Sequence, residues 1–492
     1  MAIDLSSIVK AYDVRGVVPE QLSPQVAQAL GAAFAQVVAV PAAEGSARTG
    51  SGRPGVVIGR DMRDSGPELV DAFARGLTAA GVDVTLIGLC STDGLYFASG
   101  RLDLPGAMFT ASHNPAEYNG IKLCRSGARP VGQETGLAEI RELAQGYLDG
   151  ALPEPVADVG QVFERDLLAD YAGFLRSLVD LSGSRPLKVV VDAGNGMGGL
   201  TVPAVLGDAA GLPALDLELV PLFFELDGSF PNHEANPLEP SNLIDLQAAV
   251  VANEADLGFA FDGDADRCFV VDERGGAVSP SAVTALVGLA EVTKELAAGR
   301  APTVIHNLIT SRAVPDLLTA AGAETVRTRV GHSFIKAQMA EHGAVFGGEH
   351  SAHYYFRDFW FADTGMLAAL HVLAALSTQD HTMSELGEMF EPYAGSGEIN
   401  STVSDAADAT ERVLEAYRVA YPEIVVDTLD GVTVSHWESH PQWWFNLRAS
   451  NTEPLLRLNV EAADQDIMEK VRDDVLSLVR DPAAAAKEEE TP

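Results

Sequence analysis

Residues 257–271 have the sequence LGFAFDGDADRCFVV, in which a short acidic turn separates two apolar runs that are typical of strands. Asp262, Asp264 and Asp266 alternate along the turn, and Arg267 follows directly. Carboxylates at alternate positions of a tight, glycine-containing turn converge on one hard cation such as Mg²⁺. The stretch therefore predicts a strand that ends in a metal loop, followed by a second strand.

The same spacing has a calcium-binding alternative, the EF-hand loop. Asp262, Asp264, Asp266 and Glu273 fall at its first, third, fifth and twelfth positions. That loop needs glycine at its sixth position, where this chain has Arg267, and it needs helices rather than strands on both sides. A solvated acidic turn stays open as an interpretation, but it does not explain the apolar runs.

A second polar turn, TASHNP at residues 110–115, follows the apolar run at residues 107–109. It places the hydroxyl group of Ser112 beside the imidazole of His113. Such a pair, taken alone, is more often a turn or a helix cap than a nucleophile. Combined with a dication and an arginine, however, the hydroxyl group indicates phosphoryl transfer.

Two further loops supply groups that bind phosphates and sugars. RASNTEP, residues 448–454, combines an arginine with hydroxyl, amide and backbone N–H groups that can hold a phosphate. GGEHSAHYYF, residues 347–356, offers the carboxylate, hydroxyl and imidazole groups that sugar hydroxyls require. Either loop alone could be an ordinary turn.

These four motifs, in this order, resemble those of the α-D-phosphohexomutases, and KAYDVRG at residues 10–16 is a fifth match. The resemblance spans essentially the whole chain, and EHSAHYYFRD at residues 349–358 is most similar to the phosphomannomutase branch. The resemblance agrees with the α/β fold class that the alternation of strands and helices in the sequence indicates. We expect three related α/β domains with mixed sheets and a smaller C-terminal α+β domain, heart-shaped around a central cleft. The expected bounds are residues 1–158, 159–263, 264–390 and 391–492.

The resemblance implies that the protein interconverts mannose 6-phosphate and mannose 1-phosphate through a hexose 1,6-bisphosphate. Ser112 would be carried as phosphoserine, with one Mg²⁺ held by Ser112, Asp262, Asp264 and Asp266. Phosphoglucomutase activity, or activity on both sugars, is the alternative, because the sequence does not settle preference at the sugar 2-hydroxyl. The implied catalytic residues are Ser112, Lys122, Arg15, Arg267 and His113. The implied substrate-binding residues are Tyr12, His332, Glu349, Ser351, His353, Arg448, Ser450, Asn451, Thr452 and Arg457.

Lys122, with Arg15 beside it, is the first candidate for general acid/base, whereas His113 could instead cap the serine turn. The chain departs from the family at Asp93, where proline is usual. It also lacks a lysine that often precedes the equivalent of Ser311-Arg312, so that substrate contact is missing or supplied by Arg329. Two competing classes are a non-catalytic relative and an aspartyl-phosphate hydrolase. The intact motifs argue against the first, and the mid-chain position of the acidic motif argues against the second.

Composition excludes other partners. A net charge of −37 argues against nucleic acid as a partner, and it requires a local excess of basic residues wherever a sugar phosphate binds. Three widely separated cysteines are typical of reduced thiols in a cytoplasmic protein. No signal peptide or membrane-spanning run is recognisable, and we expect a monomer or weak homodimer. Residues 43–54 and 483–492 are expected to be mobile, because they are poor in large apolar side chains.

Overall fold

The computed structural model describes residues 4–10, 12–183, 185–449 and 455–480, which form four sheets in sequence order. The first three sheets mix parallel and antiparallel strands, and helices pack on them. In the fourth sheet, every described pair of strands is antiparallel. This architecture confirms the predicted class, three α/β domains followed by a smaller α+β domain.

The first sheet has the strand order β1-β5-β4-β2-β3-β7, with β6 paired to β5. Strands β2, β3 and β4 are parallel, so their carboxyl ends meet at one edge of the sheet. The turns after β2 and β4 hold Arg63 and Ser112 at that edge. The elements are β1 (Val14–Val17), α1 (Pro24–Phe34), α2 (Val40–Ala42), β2 (Gly55–Arg60), α3 (Gly66–Ala79), β3 (Asp83–Leu89), α4 (Thr92–Leu102), β4 (Gly106–Phe109), β5 (Tyr118–Arg125), β6 (Arg129–Pro130), α5 (Leu137–Asp149) and β7 (Val162–Glu164).

The second sheet has the order β12-β11-β10-β8-β9 and contains the metal loop between two of its strands. Its elements are α6 (Leu168–Leu178), β8 (Leu187–Asp192), α7 (Gly198–Val205), β9 (Leu217–Leu222), α8 (Ile244–Ala252), β10 (Leu257–Phe261), β11 (Cys268–Asp272) and β12 (Ala277–Val278).

Two of the expected domain bounds fall inside sheets. The bound between residues 263 and 264 cuts the hairpin of β10 and β11, so the second unit extends through β12. The bound at residue 158 leaves out β7, which pairs with β3 in the first sheet. The metal loop is expected to mark the end of a domain, but a polar turn can also lie within a sheet, as this one does between β10 and β11.

The third sheet has the order β14-β13-β15-β16-β17. Residues 349–353, which we call the sugar loop, join β15 to β16. Its elements are α9 (Pro280–Ala297), β13 (Thr303–Asn307), α10 (Ala313–Ala320), β14 (Glu324–Thr328), α11 (His332–His342), β15 (Phe346–Gly348), β16 (Tyr354–Phe356), β17 (Ala362–Asp363), α12 (Gly365–Ser377) and α13 (Met383–Phe390).

The fourth sheet has the order β18-β22-β21-β20-β19 and packs against two amphipathic helices. The phosphate-loop residues 450–454 connect β21 to β22 and lie outside the described residues. The elements are β18 (Ala394–Thr402), α14 (Ala406–Ala420), β19 (Val425–Asp427), β20 (Val432–Ser435), β21 (Trp443–Ala449), β22 (Leu455–Ala462) and α15 (Gln465–Val479).

The apolar cores divide the molecule unevenly. One continuous cluster runs from Val57 to Leu386 and joins side chains of the first three domains. The fourth domain has its own cluster, built from residues 409–479. The interior therefore links the first three domains more closely than it links any of them to the fourth.

Residues 43–54 are ordered, contrary to expectation. Asp83, which is fully buried, accepts hydrogen bonds from Thr49 Oγ1 at 2.7 Å and Ser51 Oγ at 2.5 Å. Arg48 also forms a bridge with Pro54. A buried carboxylate in a neighbouring strand thus replaces the missing apolar contacts, and the composition of the segment gives no sign of it. The other segment expected to be mobile, residues 483–492, lies outside the described residues.

One helical stretch of the described chain, Pro24–Ala42, is long and apolar enough to cross a membrane by length and composition alone. In this fold, 61% of its apolar window is buried inside the protein. Its first part, α1, packs against α3 and α5. Burial of this kind is what a core helix requires.

Candidate active site

Ser112 lies in the turn that follows β4, at the carboxyl edge of the first sheet. Its backbone adopts a φ of 48°, and its N–H group donates to Thr110 Oγ1 at 2.8 Å. The hydroxyl group, on a residue only 3% exposed, donates to Asp262 Oδ2 at 2.8 Å. The fold therefore joins two turns that are 150 residues apart in sequence.

Three buried carboxylates face this hydroxyl group from the metal loop. Oxygen atoms of Asp262, Asp264 and Asp266 lie within 4.8 Å of one another. Oδ1 of Asp264 and Oδ1 of Asp266 are buried without a hydrogen-bond partner among the described residues. Such orphaned oxygens are costly unless a cation binds them. The donor set, all hard oxygen, fits a cation such as Mg²⁺.

Arg267 links the metal loop to the serine turn. Its Nε donates to Asp262 Oδ2 at 2.9 Å, and its Nη2 lies 2.6 Å from Nδ1 of His113. Burial, with the charges of Arg267 and Arg15, lowers the pKa of His113 to about 2. Burial also raises the pKa of Asp262 to about 7, although Arg267 opposes that shift. His113 is therefore a neutral imidazole whose Nδ1 accepts from Arg267, which favours an orienting role over proton transfer.

Lys122, on β5, projects toward the metal loop. Its Nζ donates to Asp264 Oδ2 at 2.7 Å and to Asp266 Oδ2 at 2.6 Å. Burial alone would lower the pKa of Lys122, but the two carboxylates raise it well above its usual value. Lys122 is therefore a protonated donor in this arrangement.

Arg15 approaches the serine turn from β1, which pairs with β5. Its Nε donates to Asp13 Oδ2 at 2.7 Å, and its Nη1 donates to the carbonyl of Ala111 at 3.0 Å and to Asn114 Oδ1. Tyr12, three residues earlier, is 37% exposed, and burial raises its pKa. Glu349 and Lys122 also affect the pKa of Tyr12, so its hydroxyl group faces the same space.

The sugar loop presents a carboxylate, a hydroxyl and an imidazole together. Glu349 Oε2 accepts from Tyr355 OH at 2.9 Å, and Ser351 Oγ lies 3.1 Å from His353 Nδ1. His353 also forms an isolated bridge with Arg267, and its Nε2 lies 3.6 Å from Asp266 Oδ1. The sugar loop thus lies directly beside the metal loop, as the resemblance implied.

Two arginines of the fourth domain form the other end of the site. Arg448 and Arg457 are cross-strand partners on β21 and β22. Both lie 3.6 Å from Glu398, and Arg448 Nη1 lies 3.7 Å from Asp430 Oδ2. Burial, Arg448, His353 and Arg457 lower the pKa of His350 to about 3, so these arginines are close to the sugar loop.

We name the group of Ser112, the three aspartates, Arg267 and Lys122 the serine end, and the pair Arg448 and Arg457 the arginine end. Ser450, Asn451 and Thr452, expected at the arginine end, lie outside the described residues. His332 begins α11, and its side chain is likewise outside them. Arg329 places its guanidinium over the ring of Phe334 at 4.7 Å.

Several groups that support the serine end are not predicted from the sequence. Thr92, at the start of α4, donates through Oγ1 to Asp264 Oδ2 at 2.5 Å and through its backbone N–H to the carbonyl of Asp264 at 3.0 Å. A side chain at Gly263 would collide with the carbonyl oxygen of Ser112, so only glycine lets the two turns touch. Lys336 pairs with Asp363 at 2.6 Å, while its ammonium lies 4.2 Å from the ring centre of Tyr96.

Arg63 was missed as well. It sits two residues after Asp61, a position that by sequence is an ordinary surface turn at a strand end. The structure buries it beneath the serine turn, with 1% of its side chain exposed. The sequence does contain a signal. Arg60 and Asp61 directly follow the apolar run VVIG at residues 56–59, so Arg63, two residues later, falls at the same carboxyl edge of the sheet as the Ser112 turn.

The assembled groups can support phosphoryl transfer. A hydroxyl group lies against three oxygen ligands for a dication, with a guanidinium and an ammonium beside it. The carboxylate, hydroxyl and imidazole groups of residues 349–353 adjoin this centre, and the guanidiniums of Arg448 and Arg457 are of the kind that can bind a second phosphate.

Four family descriptions match the chain in succession. They are phosphoglucomutase/phosphomannomutase alpha/beta/alpha domain I over residues 6–148, domain II over residues 169–276, domain III over residues 280–393 and the C-terminal domain over residues 398–478.

Curated relatives and a solved structure agree. A phosphomannomutase of Escherichia coli is 37% identical over 480 residues, covering 96% of this chain and 98% of its own length. A protein of Xanthomonas campestris named phosphohexose mutases is 40% identical over 474 residues, with the same coverage. A crystal structure of a phosphoglucomutase/phosphomannomutase family protein from Burkholderia thailandensis has a TM-score of 0.80 and 31% identity, covering 97% of this chain and 98% of the other. The chain belongs to the phosphoglucomutase/phosphomannomutase family, in its phosphomannomutase branch.

Proposed function

We propose that this protein is a phosphomannomutase that interconverts mannose 6-phosphate and mannose 1-phosphate. The observation that carries the proposal is the contact of Ser112 Oγ with the buried carboxylate cluster, beside Arg267 and within reach of the sugar loop. Full-length similarity to proteins named phosphomannomutase supports the choice of substrate.

In this proposal, Ser112 carries the phosphoryl group. The bond between phosphorus and Ser112 Oγ breaks while a bond forms to the free hydroxyl of the bound sugar phosphate, and a hexose 1,6-bisphosphate results. The bisphosphate then turns end for end. Its other phosphoryl group returns to Ser112, and the sugar keeps the phosphate that it received. One serine can thereby serve two positions that lie far apart on the sugar.

The carboxylates of Asp262, Asp264 and Asp266, together with an oxygen on Ser112, would hold one Mg²⁺. When bound, the cation supplies positive charge that stabilises the phosphoryl oxygens. Its binding also satisfies the orphaned oxygens of Asp264 and Asp266, which is the structural reason for assigning it here.

Arg267 is placed to stabilise negative charge on the same phosphoryl group, since its Nη2 lies 3.5 Å from Ser112 Oγ. Lys122, whose ammonium contacts the metal loop, is the proposed general acid/base. Protonated beside two carboxylates, it would give a proton to Ser112 Oγ as the bond to phosphorus breaks, and would then take up the proton of the attacking sugar hydroxyl. Arg15 orients the serine turn through its carbonyl contact. His113, neutral and bonded to Arg267, holds that arginine in place.

Glu349, Ser351 and His353 would bind sugar hydroxyls, with Tyr12 and His332 beside them. Arg448 and Arg457, together with Ser450, Asn451 and Thr452, would bind the phosphate that is not reacting. Since both orientations of the bisphosphate present a phosphate to this end, one set of groups can serve both half-reactions.

Phosphoglucomutase activity is the second candidate. The relative named phosphohexose mutases, at 40% identity, favours an enzyme that accepts more than one sugar. The protein would act on hexose phosphates inside the cell, which three free buried cysteines support. We keep the prediction of a monomer or weak homodimer.

The test combines mass and turnover. Intact-mass measurement after incubation with glucose 1,6-bisphosphate should show one added phosphoryl group, located on Ser112 by peptide mapping. Purified protein should then interconvert mannose phosphates in Mg²⁺ buffer. Phosphate on another residue would contradict the Ser112 assignment. A protein inactive on both mannose and glucose phosphates would favour a non-catalytic relative.

A further inference from the structure

Arg63 is buried beneath the serine turn, where four of its five side-chain donors bind backbone carbonyls. Nη1 donates to the carbonyls of Pro115 at 2.7 Å and Tyr118 at 2.9 Å. Nη2 donates to the carbonyls of Ser112 at 2.9 Å and Asn114 at 2.6 Å. Nε faces Asp61 Oδ2 at 3.3 Å. A guanidinium has five N–H donors, and here four of them have carbonyl acceptors, whereas Nε forms an ion pair without a hydrogen bond.

This arrangement fixes the backbone that carries Ser112. A residue other than glycine at a φ of 48° is strained and persists only where its surroundings hold it. Arg63 holds the Ser112 carbonyl on one side, and the close approach of Gly263 limits its movement on the other. The position of Ser112 Oγ relative to Asp262 therefore depends on the guanidinium.

Arg63 is itself held from two domains. Asp61 Oδ1 accepts its backbone N–H at 3.0 Å. The ring of Phe230, from the second domain, lies 5.1 Å from its guanidinium carbon, and a side chain at Gly228 would press on its backbone. Arg63 is therefore held in place by contacts with both the domain of the serine turn and the domain of the metal loop.

Lysine cannot reproduce these contacts. Its ammonium has three donors in a compact arrangement, so it cannot bind four carbonyls spread along seven residues. The fork geometry, rather than the positive charge alone, is what organises the turn.

We propose that Arg63 is a positioning residue for phosphoryl transfer, which holds the Ser112 turn so that phosphoserine meets the sugar hydroxyl in line. The inference rests on the proposed role of Ser112 as phosphoryl carrier. Arg63 contacts only backbone of that turn, and the proposed substrate-binding groups, apart from Tyr12, lie in the third and fourth domains. Its loss should therefore slow transfer to the sugar without weakening sugar-phosphate binding.

The phosphoryl group of phosphoserine can pass either to a bound sugar or to water. The ratio of these two rates distinguishes a positioning role of Arg63 from a general effect on protein stability. Transfer to a bound sugar needs alignment of two reacting groups, and a displacement of about 1 Å can cost roughly 100-fold in rate. Loss of phosphate to water needs far less alignment. A misplaced phosphoserine should thus transfer more slowly to sugar while its hydrolysis stays the same or rises.

The test uses full-length Arg63→Lys and Arg63→Met, with Arg60→Lys and Arg60→Met as matched controls. Arg60 lies three residues earlier, is only half-buried, and donates to the carbonyl of Asp61 rather than to the serine turn. Each protein is phosphorylated with glucose 1,6-bisphosphate, and phosphoserine is quantified by mass. Single-turnover transfer to mannose 1-phosphate and release of inorganic phosphate are then measured per phosphorylated molecule.

We expect Arg63→Lys to lower the transfer rate by about 100-fold, with half-saturation within about 3-fold of the wild type. Arg63→Lys keeps a cation beside Asp61, so it stays informative if Arg63→Met does not fold. A transfer-to-release ratio equal to that of the wild type would overturn the inference, even if the melting temperature fell. Wild-type turnover without phosphate on Ser112 would overturn this inference and the proposed function together.

Discussion

The serine end and the arginine end differ in how tightly their charged groups are paired. At the serine end, buried side chains of the first two domains, together with the half-buried Lys122, hold one another at 2.6–2.9 Å. At the arginine end, Arg448 and Arg457 are partly exposed and lie 3.6–3.7 Å from their carboxylates. The first end has its reacting groups preorganised, whereas the second holds its guanidiniums loosely and can exchange carboxylates for a phosphate.

Interdomain contacts follow the same division. The buried carboxylate of Asp93 accepts hydroxyl groups from Ser91, Tyr171 at 2.7 Å and Thr364 at 2.6 Å, one from each of the first three domains. The fourth domain contacts the third mainly through polar groups, such as Arg312 N–H with Glu461 at 2.8 Å. We therefore expect the first three domains to behave as one rigid body and the fourth domain to move when phosphate binds.

The largest expected effect is at Ser112. We expect Ser112→Ala to lower kcat by at least about 10⁴-fold, because Ser112 supplies the hydroxyl group that contacts Asp262 and lies beside Arg267. The melting temperature should change little. Ser126→Ala, a buried serine that donates to the Asp103 carbonyl, is the control and should retain activity. Equal turnover of Ser112→Ala with added bisphosphate would show that the serine end is not the reacting end.

Removal of one metal ligand should come next. Asp264→Asn is expected to raise the Mg²⁺ concentration needed for half-maximal activity and to lower kcat by roughly 10²- to 10⁴-fold, since cation stabilisation contributes several kcal/mol. EDTA should abolish wild-type activity, and Mg²⁺ should restore it. Glu254→Gln, an exposed acid just before β10, should leave the metal titration unchanged. Full activity after EDTA treatment would contradict the metal assignment.

Arg448→Ala tests the arginine end with a smaller effect. We expect KM to rise roughly 10- to 100-fold, as loss of a charge-assisted phosphate contact should do. Ser112 phosphorylation should persist, because this end binds the phosphate that is not reacting. Small-angle scattering with and without sugar phosphate should show closure in the wild type and not in the variant. Arg418→Ala, which removes a charge elsewhere in the fourth domain, is the control. If sugar phosphate changes the scattering of Arg448→Ala and of the wild type equally, Arg448 does not drive closure of the fourth domain.

The smallest effect is on stability and concerns Asp93. Burial raises the pKa of Asp93 to about 6, although its three hydroxyl donors oppose the shift. The folded state therefore binds a proton more tightly than the unfolded state, whose pKa is about 3.9, and the free energy of unfolding should fall between about pH 4 and pH 6 as pH rises. Asp93→Asn should reduce the change in the free energy of unfolding across this pH range by on the order of 2 kcal/mol.

Asp83 provides the contrast for that measurement. Burial raises its pKa, but Ser51, Thr49, Gln161 N–H and Arg53 outweigh it and lower the pKa overall. Its contribution to stability should therefore be present above about pH 4 and be lost as pH falls. Unfolding curves of Asp93→Asn that keep the wild-type slope would show that Asp93 is ionised in the folded protein.

Much of the fold was accessible from the sequence, because apolar runs ending in polar turns mark strands at the carboxyl edge of a sheet. The acidic turn at residues 262–266 and the turn at Ser112 were predicted from residue type and spacing, and the fold brings them together. The position of Arg63 was not predicted. Its role depends on carbonyls 49–55 residues away, and carbonyls carry no sequence signal.

Other misses have the same physical origin. Thr92 and Gly263 matter because of which backbone they approach, and pairing across domains cannot be read from local pattern. The domain bound placed within the metal loop failed because a turn inside a hairpin resembles a turn between domains. The phosphate-loop residues 450–452 stay a prediction from their sequence motif.

The separate apolar core of the fourth domain has a consequence for engineering. Because residues 409–479 enclose their own interior, the segment from about residue 394 onward is an exchangeable module. A chimera that takes this module from a relative with another sugar preference should keep the phosphoserine chemistry of the parent. From the relative it should inherit only the groups that would bind the phosphate that is not reacting. The hexose preference of such chimeras would therefore show whether specificity resides in the first three domains or in the fourth.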